Sequence, residues 1–243
     1  MKIINIFNKK YKKCSICGKK SIFTSFGYDS PIYKKYNMSC GGYRENVTCP
    51  NCGANDRIRY IDYIISKYTN IYTGKNIILH IAPEKCIEEK IRDNKNCEYI
   101  TGDLDPKLAE VQVDVTNMPF KDKTFNYIII NHVFEHIKNE EKAISEVKRC
   151  LKDNGFLLFS VPINLDEKTF EDSSIISVED KINFYGQPDH IRLYGYDYIE
   201  RFEKFGLQIE EFIAEKSMSK KAINTYNVQP KDRVCIAKKR IVL

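Results

Sequence analysis

Residues 114–137 read DVTNMPFKDKTFNYIIINHVFEHI, and this stretch decides the fold. Its centre, FNYIIIN from Phe125 to Asn131, is short, rich in isoleucine and almost without polar alternation. Such a run is a strand buried on both faces, as in a parallel sheet, and is too short for a buried helix. A Pro-Phe pair and a charged turn precede it and leave Asp114 on a loop. Asn131, His132, Glu135 and His136 follow it, at the carboxyl end of the strand. In an open α/β sheet, ligands bind at that end.

Outward from this core the pattern alternates. Upstream, NIILHIA (76–82) reads as a buried strand, EKCIEEKIRDN (84–94) as a helix and CEYITGD (97–103) as a second strand. Between them and the core, DPKLAEV (105–111) leaves room for barely one helical turn. Downstream come a helix over NEEKAISEVKRCLKD (139–153), a strand over GFLLFSVP (155–162) and a helix over YDYIERFEKFG (196–206). Two more strands follow, LQIEEFIAEK (207–216) and RVCIAKKR (233–240). Strands alternating with helices predict an α/β domain over 76–243 with a doubly wound, mostly parallel sheet.

The stretch at 114–137, followed by EVKRCLKDNGFLLFSVP (146–162), resembles the class I S-adenosylmethionine (SAM)-dependent methyltransferases of the type 11-like branch. That resemblance implies a Rossmann-like domain with SAM as cofactor. It places Asp103 on the ribose hydroxyls, with Leu104 beside it, and Asp114 on the adenine amino group, with Val115 packed on the ring. Asn131 falls near the methionine end. Where the family has a glycine-rich turn, this chain has His80, Ile81, Ala82, Pro83 and Glu84. Ala82 is small enough for close approach, Glu84 is suited to the cofactor's amino group, and His80 stands where the family has an acid.

Methyl transfer is an in-line displacement, so alignment of the acceptor is the main task, and a hydroxyl acceptor also benefits from a base. The chain has four histidines, His80, His132, His136 and His190. His190 in GQPDHIRLYG (186–195) is the first candidate base, with Asp189 beside it, and His132 is the second. Arg192 and Tyr194 are candidate acceptor contacts, through paired hydrogen bonds and stacking. Glu135 and His136 read as capping and packing residues, and Asp153, Asn154 and Gly155 need only end a helix.

The front of the chain has a different character. Cys14 and Cys17 form one CxxC and Cys49 and Cys52 another, each followed by glycine. Two such knuckles supply the four thiolates that a structural zinc favours, so residues 1–56 read as a zinc-ribbon-like module. Cys40 is a fifth candidate that could replace one of the four, though a free thiol near the site is the simpler reading. The stretch between the knuckles, 21–43, fits short hairpins, and RIRYIDYIISKYTN (57–70) reads as a helix within a connecting segment, 57–75. Together with the later motifs, this front resembles a bacterial methyltransferase subgroup with an N-terminal zinc ribbon, linked to surface-polysaccharide and sugar modification.

Residues 1–75 hold 14 Lys and Arg against 4 Asp and Glu, while the chain as a whole carries +6. A basic front attracts anionic partners or is simply a solvated surface. No apolar run is long enough to span a membrane, and the opening MKIINIFNKKYKK is too short in apolar residues for a secretory signal. The expected setting is cytoplasmic, without membrane insertion. Three functions compete: O-methylation of a sugar or a nucleotide-activated or phosphorylated glycan intermediate, methylation of RNA bound on the basic module, and a non-catalytic zinc-ribbon interaction protein. Small-molecule or glycan acceptors rank ahead of nucleic acid, and oligomeric state is open.

Overall fold

The computed structural model describes residues 11–240. At its centre lies a seven-stranded sheet. Its spatial order is Leu207–Ile213, Arg233–Lys239, Leu151–Ser160, Phe125–Asn131, Ile77–Ile81, Glu98–Asp103 and Val111–Gln112. The last five strands run parallel, and Arg233–Lys239 runs antiparallel to both its neighbours.

The strand at Phe125–Asn131 shows why the apolar run is continuous. Ile128 and Ile130 point into one cluster, with Phe134, Phe159 and Phe202. Tyr127 and Ile129 point into the other, with Tyr60, Ile61 and Leu158. Both faces are covered, so alternate residues are all apolar, each fully buried isoleucine contributing about 1.5–3 kcal/mol. Helices Glu140–Cys150 and Tyr198–Lys204 cover the first face. Asp56–Tyr68, Lys85–Asp93 and Lys220–Tyr226 cover the second.

Helix Asp56–Tyr68 is a full layer of the domain. Its start is set by Asn55, whose side chain accepts from Ile58 N–H at 3.0 Å and caps the first turn. Tyr60, Ile61, Ile64 and Ile65 form the stripe it buries. Arg59, wholly buried, donates to the carbonyls of Ala54, Tyr226 and Asn227, tying the helix to the C-terminal part of the chain. Within the front segment, Met38–Ser39 pairs antiparallel with Ile163–Asn164, which in turn pairs with Tyr194–Gly195. The front is therefore woven into the segment that follows the Leu151–Ser160 strand.

Several expectations change. Besides its short strands, the 21–43 stretch carries helix Pro31–Lys35, where proline at the start fixes φ for the first turn. No helix forms over 105–111, which is turns and bends ending in Val111–Gln112. The Glu140 helix stops at Cys150 because Leu151 already pairs with Phe125. Glu135 and His136 lie in a single 3-10 turn, Phe134–His136.

Candidate functional site

Two cavities open at the carboxyl ends of the parallel strands. The first, about 470 Å³, is lined by Ile81, Ala82, Asp103, Leu104, Val113, Asp114, Val115 and Ile137, with His132, Val133, His136 and Asp189 closing one end. Asp103 ends its strand and turns its carboxylate back to accept from Asp105 N–H at 2.9 Å. Asp114 does the same for Thr116, at 2.8 Å from both its N–H and its hydroxyl. These bonds hold the two carboxylates at the cavity rim. The glycine-free turn is explained by Ala82, which itself adopts φ 49°, the left-handed conformation glycine usually supplies. Its N–H is anchored on Gly102 at 2.8 Å.

One expected cofactor contact, that of the His80 side chain, is corrected. His80 is fully buried, with Nδ1 2.9 Å from the Tyr99 hydroxyl and Nε2 2.8 Å from Glu84, so neither nitrogen nor that carboxylate oxygen is left for a ligand. Asn131 is buried at the end of its strand, its side-chain oxygen accepting from Ser160 and its Nδ2 left without a partner.

The second cavity, about 330 Å³, is lined by Phe26, Gly41, Gly42, Arg44 and Arg57 from the front of the chain and by His132, Glu135, His136, Gln187, Asp189 and His190 from the rest. His132, His136 and Asp189 line both cavities, so the two meet there. His190 is 1% exposed and its Nδ1 lies 3.3 Å from the Tyr185 carbonyl. A carbonyl can only accept, so Nδ1 carries the hydrogen and Nε2 a lone pair. Burial, then the nearby His136 ring, hold its pKa down at about 4. His136 packs edge-on to it at 4.8 Å between ring centres.

His132 adopts φ 54° and sits 3.1 Å from Arg57 Nη1. Burial and the Arg57 charge hold it well below the ordinary histidine range, hence neutral. Glu135, 1% exposed, is pushed up to about 8 by burial and so is protonated at pH 7. Asp189 faces His136 at 3.4 Å, not His190.

Arg192 and Tyr194 do not reach either cavity, which corrects their expected role. Arg192 is wholly buried and donates to Glu171 and to the carbonyls of Phe134 and Ile137. The Tyr194 hydroxyl, also buried, donates to Glu140. Both brace the wall behind His190. Conversely, Arg44, Arg57 and Glu135 are site residues that motif reasoning passed over. The charge excess of residues 1–75 was the one signal pointing to the arginines.

At the far end of the front segment, Cys14 Sγ lies 3.6 Å from Cys52 Sγ, and Cys17 Sγ 3.8 Å from Cys49 Sγ. All four sulfurs lie within 4.8 Å of one another. Four thiolates at bonds of about 2.3 Å around a tetrahedral zinc have edges near 3.8 Å, so the set fits that ion. Gly18 and Gly53 take φ 72° and 74° and return their N–H groups to Cys14 and Cys49. A side chain there would meet no atom, so the backbone angle alone explains glycine. Cys40 is 3% exposed, well placed to donate to the Arg233 carbonyl, and is not one of the four.

Residues 73–159 match the family model described as a methyltransferase domain. An uncharacterized protein of Methanocaldococcus jannaschii is 36% identical over 73 residues, 28% of this chain and 32% of its own. A ubiquinone/menaquinone biosynthesis C-methyltransferase of Salmonella arizonae is 30% identical over 149 residues, 57% of this chain and 53% of its own. The chain thus spans between a third and about half the length of these curated relatives. A SAM-dependent methyltransferase from Archaeoglobus fulgidus has the same fold, at TM-score 0.50 and 17% identity, over 76% of this chain and 95% of that one. Residues 73–159 therefore match a methyltransferase domain, within a chain that has the fold of a solved SAM-dependent methyltransferase.

Proposed function

We propose that this chain methylates a hydroxyl of a small polar acceptor, using SAM held in the larger cavity. The observation that carries the reading is the junction of two cavities at His132, His136 and Asp189, one rimmed by Asp103 and Asp114, the other holding a neutral imidazole. When bound, SAM supplies an electrophilic methyl group. Asp103 and Asp114 would hold its ribose and adenine, and Ala82 permits close approach of the backbone. His190 Nε2 accepts the hydroxyl proton as the acceptor oxygen attacks, with Nδ1 held by the Tyr185 carbonyl. The cysteine knuckles take a structural zinc and keep the front wall of the acceptor cavity in place.

The acceptor class we favour is a sugar or a nucleotide-activated or phosphorylated intermediate of a bacterial surface polysaccharide, which fits a cytoplasmic setting. Its support is the subgroup resemblance of the knuckles and methyltransferase motifs, together with a polar cavity of small-ligand size. No helix among the described residues is long and apolar enough to cross a membrane. The Salmonella relative is named a C-methyltransferase, which favours carbon methylation as the second reading.

Calorimetry with S-adenosylhomocysteine, then methyl transfer to a panel of sugars, sugar phosphates, quinols and RNA, tests these readings. Failure to bind at millimolar concentration removes every enzymatic one and leaves an interaction protein. Asp114→Ala is expected to weaken S-adenosylhomocysteine roughly ten- to a hundredfold, since one hydrogen bond to a charged group is worth ~1.5–3 kcal/mol. Unchanged affinity would remove Asp114 from the adenine contact. The pH profile is a separate check. A base works unprotonated, so turnover should hold as pH falls from 7 to 5 and drop only toward pH 4. An acid limb near 6.5 would show an unperturbed imidazole instead.

A further inference from the structure

The wall of the acceptor cavity holds hydrogen-bond donors that methyl transfer does not use. Arg44 directs Nε to Asp56 at 2.7 Å and Nη1 to the carbonyls of Gly41 and Gly42, while its Nη2 is buried with no partner. Arg57 directs Nη1 to the Cys40 carbonyl at 2.7 Å and to His132 Nδ1 at 3.1 Å, and its Nε is buried with no partner. A guanidinium only donates, so His132 Nδ1 accepts, and the hydrogen of the neutral ring sits on Nε2. That Nε2 is a third buried donor without an acceptor. A buried donor left unmade is unfavourable, and these three, with Glu135 Oε2 also unpartnered on the same wall, mark a place where something else completes them.

The charges agree with this. Both guanidiniums pack against one ring, with Arg44 Cζ 5.9 Å and Arg57 Cζ 5.3 Å from the centre of Phe26. Of the two, only Arg44 is paired with a carboxylate, Asp56, whose side chain is fully buried. The frame is stiff. Arg57 sits in the first turn of helix Asp56–Tyr68, and Arg44 begins strand Arg44–Thr48, which pairs with Thr24–Phe26.

The geometry points to an oxyanion site made by Arg44, Arg57 and His132, which holds a phosphate or carboxylate group of the acceptor. The inference rests on the methyltransferase reading and adds to it the chemical class of the acceptor, an anionic one. Phosphate and carboxylate oxygens only accept and match arginine donors in geometry and charge. The hydroxyl to be methylated lies on the His190 side of the same cavity, and the front module thereby selects the substrate.

Titration calorimetry on protein saturated with S-adenosylhomocysteine tests this, with glucose 1-phosphate, glucuronate and glucose as probes. Glucose 1-phosphate, glucuronate or both should bind at least tenfold more tightly than glucose, and the better one identifies the source of the oxyanion. Arg57→Gln should weaken that binding at least tenfold and leave S-adenosylhomocysteine affinity within about threefold. Arg44→Lys keeps a charge beside Asp56, guarding the fold, and should weaken the anion several-fold. Equal binding of the three probes by a protein that still binds S-adenosylhomocysteine overturns the oxyanion site. So does anion binding that is unchanged in a folded Arg57→Gln protein. A wild-type chain that fails to bind S-adenosylhomocysteine overturns the methyltransferase reading instead.

Discussion

Replacing Cys14 and Cys52 together by serine should abolish binding of one equivalent of zinc and eliminate methyl transfer, while S-adenosylhomocysteine affinity changes little in protein that stays soluble. The two cysteines come from different knuckles, so their loss leaves one thiolate on each and no tetrahedral set. Around this point the front segment has little apolar core, essentially Phe23 and Ala54 with Ile16 and Ile58 alongside and Cys86 from helix Lys85–Asp93. Structural zinc in small modules supplies roughly 10–16 kcal/mol of apparent binding energy, far more than such a cluster provides. Without metal, strands Thr24–Phe26 and Arg44–Thr48 lose their anchor, and with them Phe26 and Arg44, which line the acceptor cavity. The residues on the larger cavity all lie between Ile81 and Asp189, which is why cofactor affinity should survive. A chain that holds no zinc, yet melts and turns over like wild type, would refute the structural role. Low solubility of the variant is itself an expected result, and chelation of the wild-type protein then gives the same readout without a mutation.

How much of this was legible beforehand follows from the range of each signal. Strand and helix alternation is local, and Ile128, Ile129 and Ile130 already said that both sheet faces were covered. Asp103 and Asp114 came from the family resemblance, and the fold sets both on one cavity. The turn at Ala82 looked defective in sequence, since only the backbone angle reveals that alanine has taken the conformation of glycine. Arg192 and Tyr194 misled for the opposite reason. Their residue types suit ligand contact, but Glu171 and Glu140, some 20 and 54 positions away in sequence, claim them in the core. Arg57 was hidden because its partner His132 is 75 residues away, and Arg44 because nothing local shows that the front folds over the strand ends. Distant pairings of this kind decide a cavity wall, and periodicity carries no trace of them.

His190→Ala should lower turnover by about 10² to 10⁴, the usual contribution of a positioned base, and leave S-adenosylhomocysteine affinity unchanged. His190 lines the acceptor cavity and not the larger one, so the two readouts separate. A purely structural role would instead appear as a lower melting temperature with both readouts impaired, because the ring packs on His136 and bonds Tyr185. His136→Ala removes that packing partner and keeps the base, and its effect on turnover should be much smaller. The decisive arm is rescue. Truncation leaves room for free imidazole where the ring stood, next to the carbonyl that oriented it. Rescued turnover should rise with pH through roughly 6.5 to 7, as free imidazole loses its proton. The wild-type enzyme should be flat over the same range, its base held neutral by burial down to about pH 4. Turnover of His190→Ala equal to wild type on the true acceptor would remove His190 as the base. Rescue without that shift in pH dependence would mean that imidazole fills space and takes no proton.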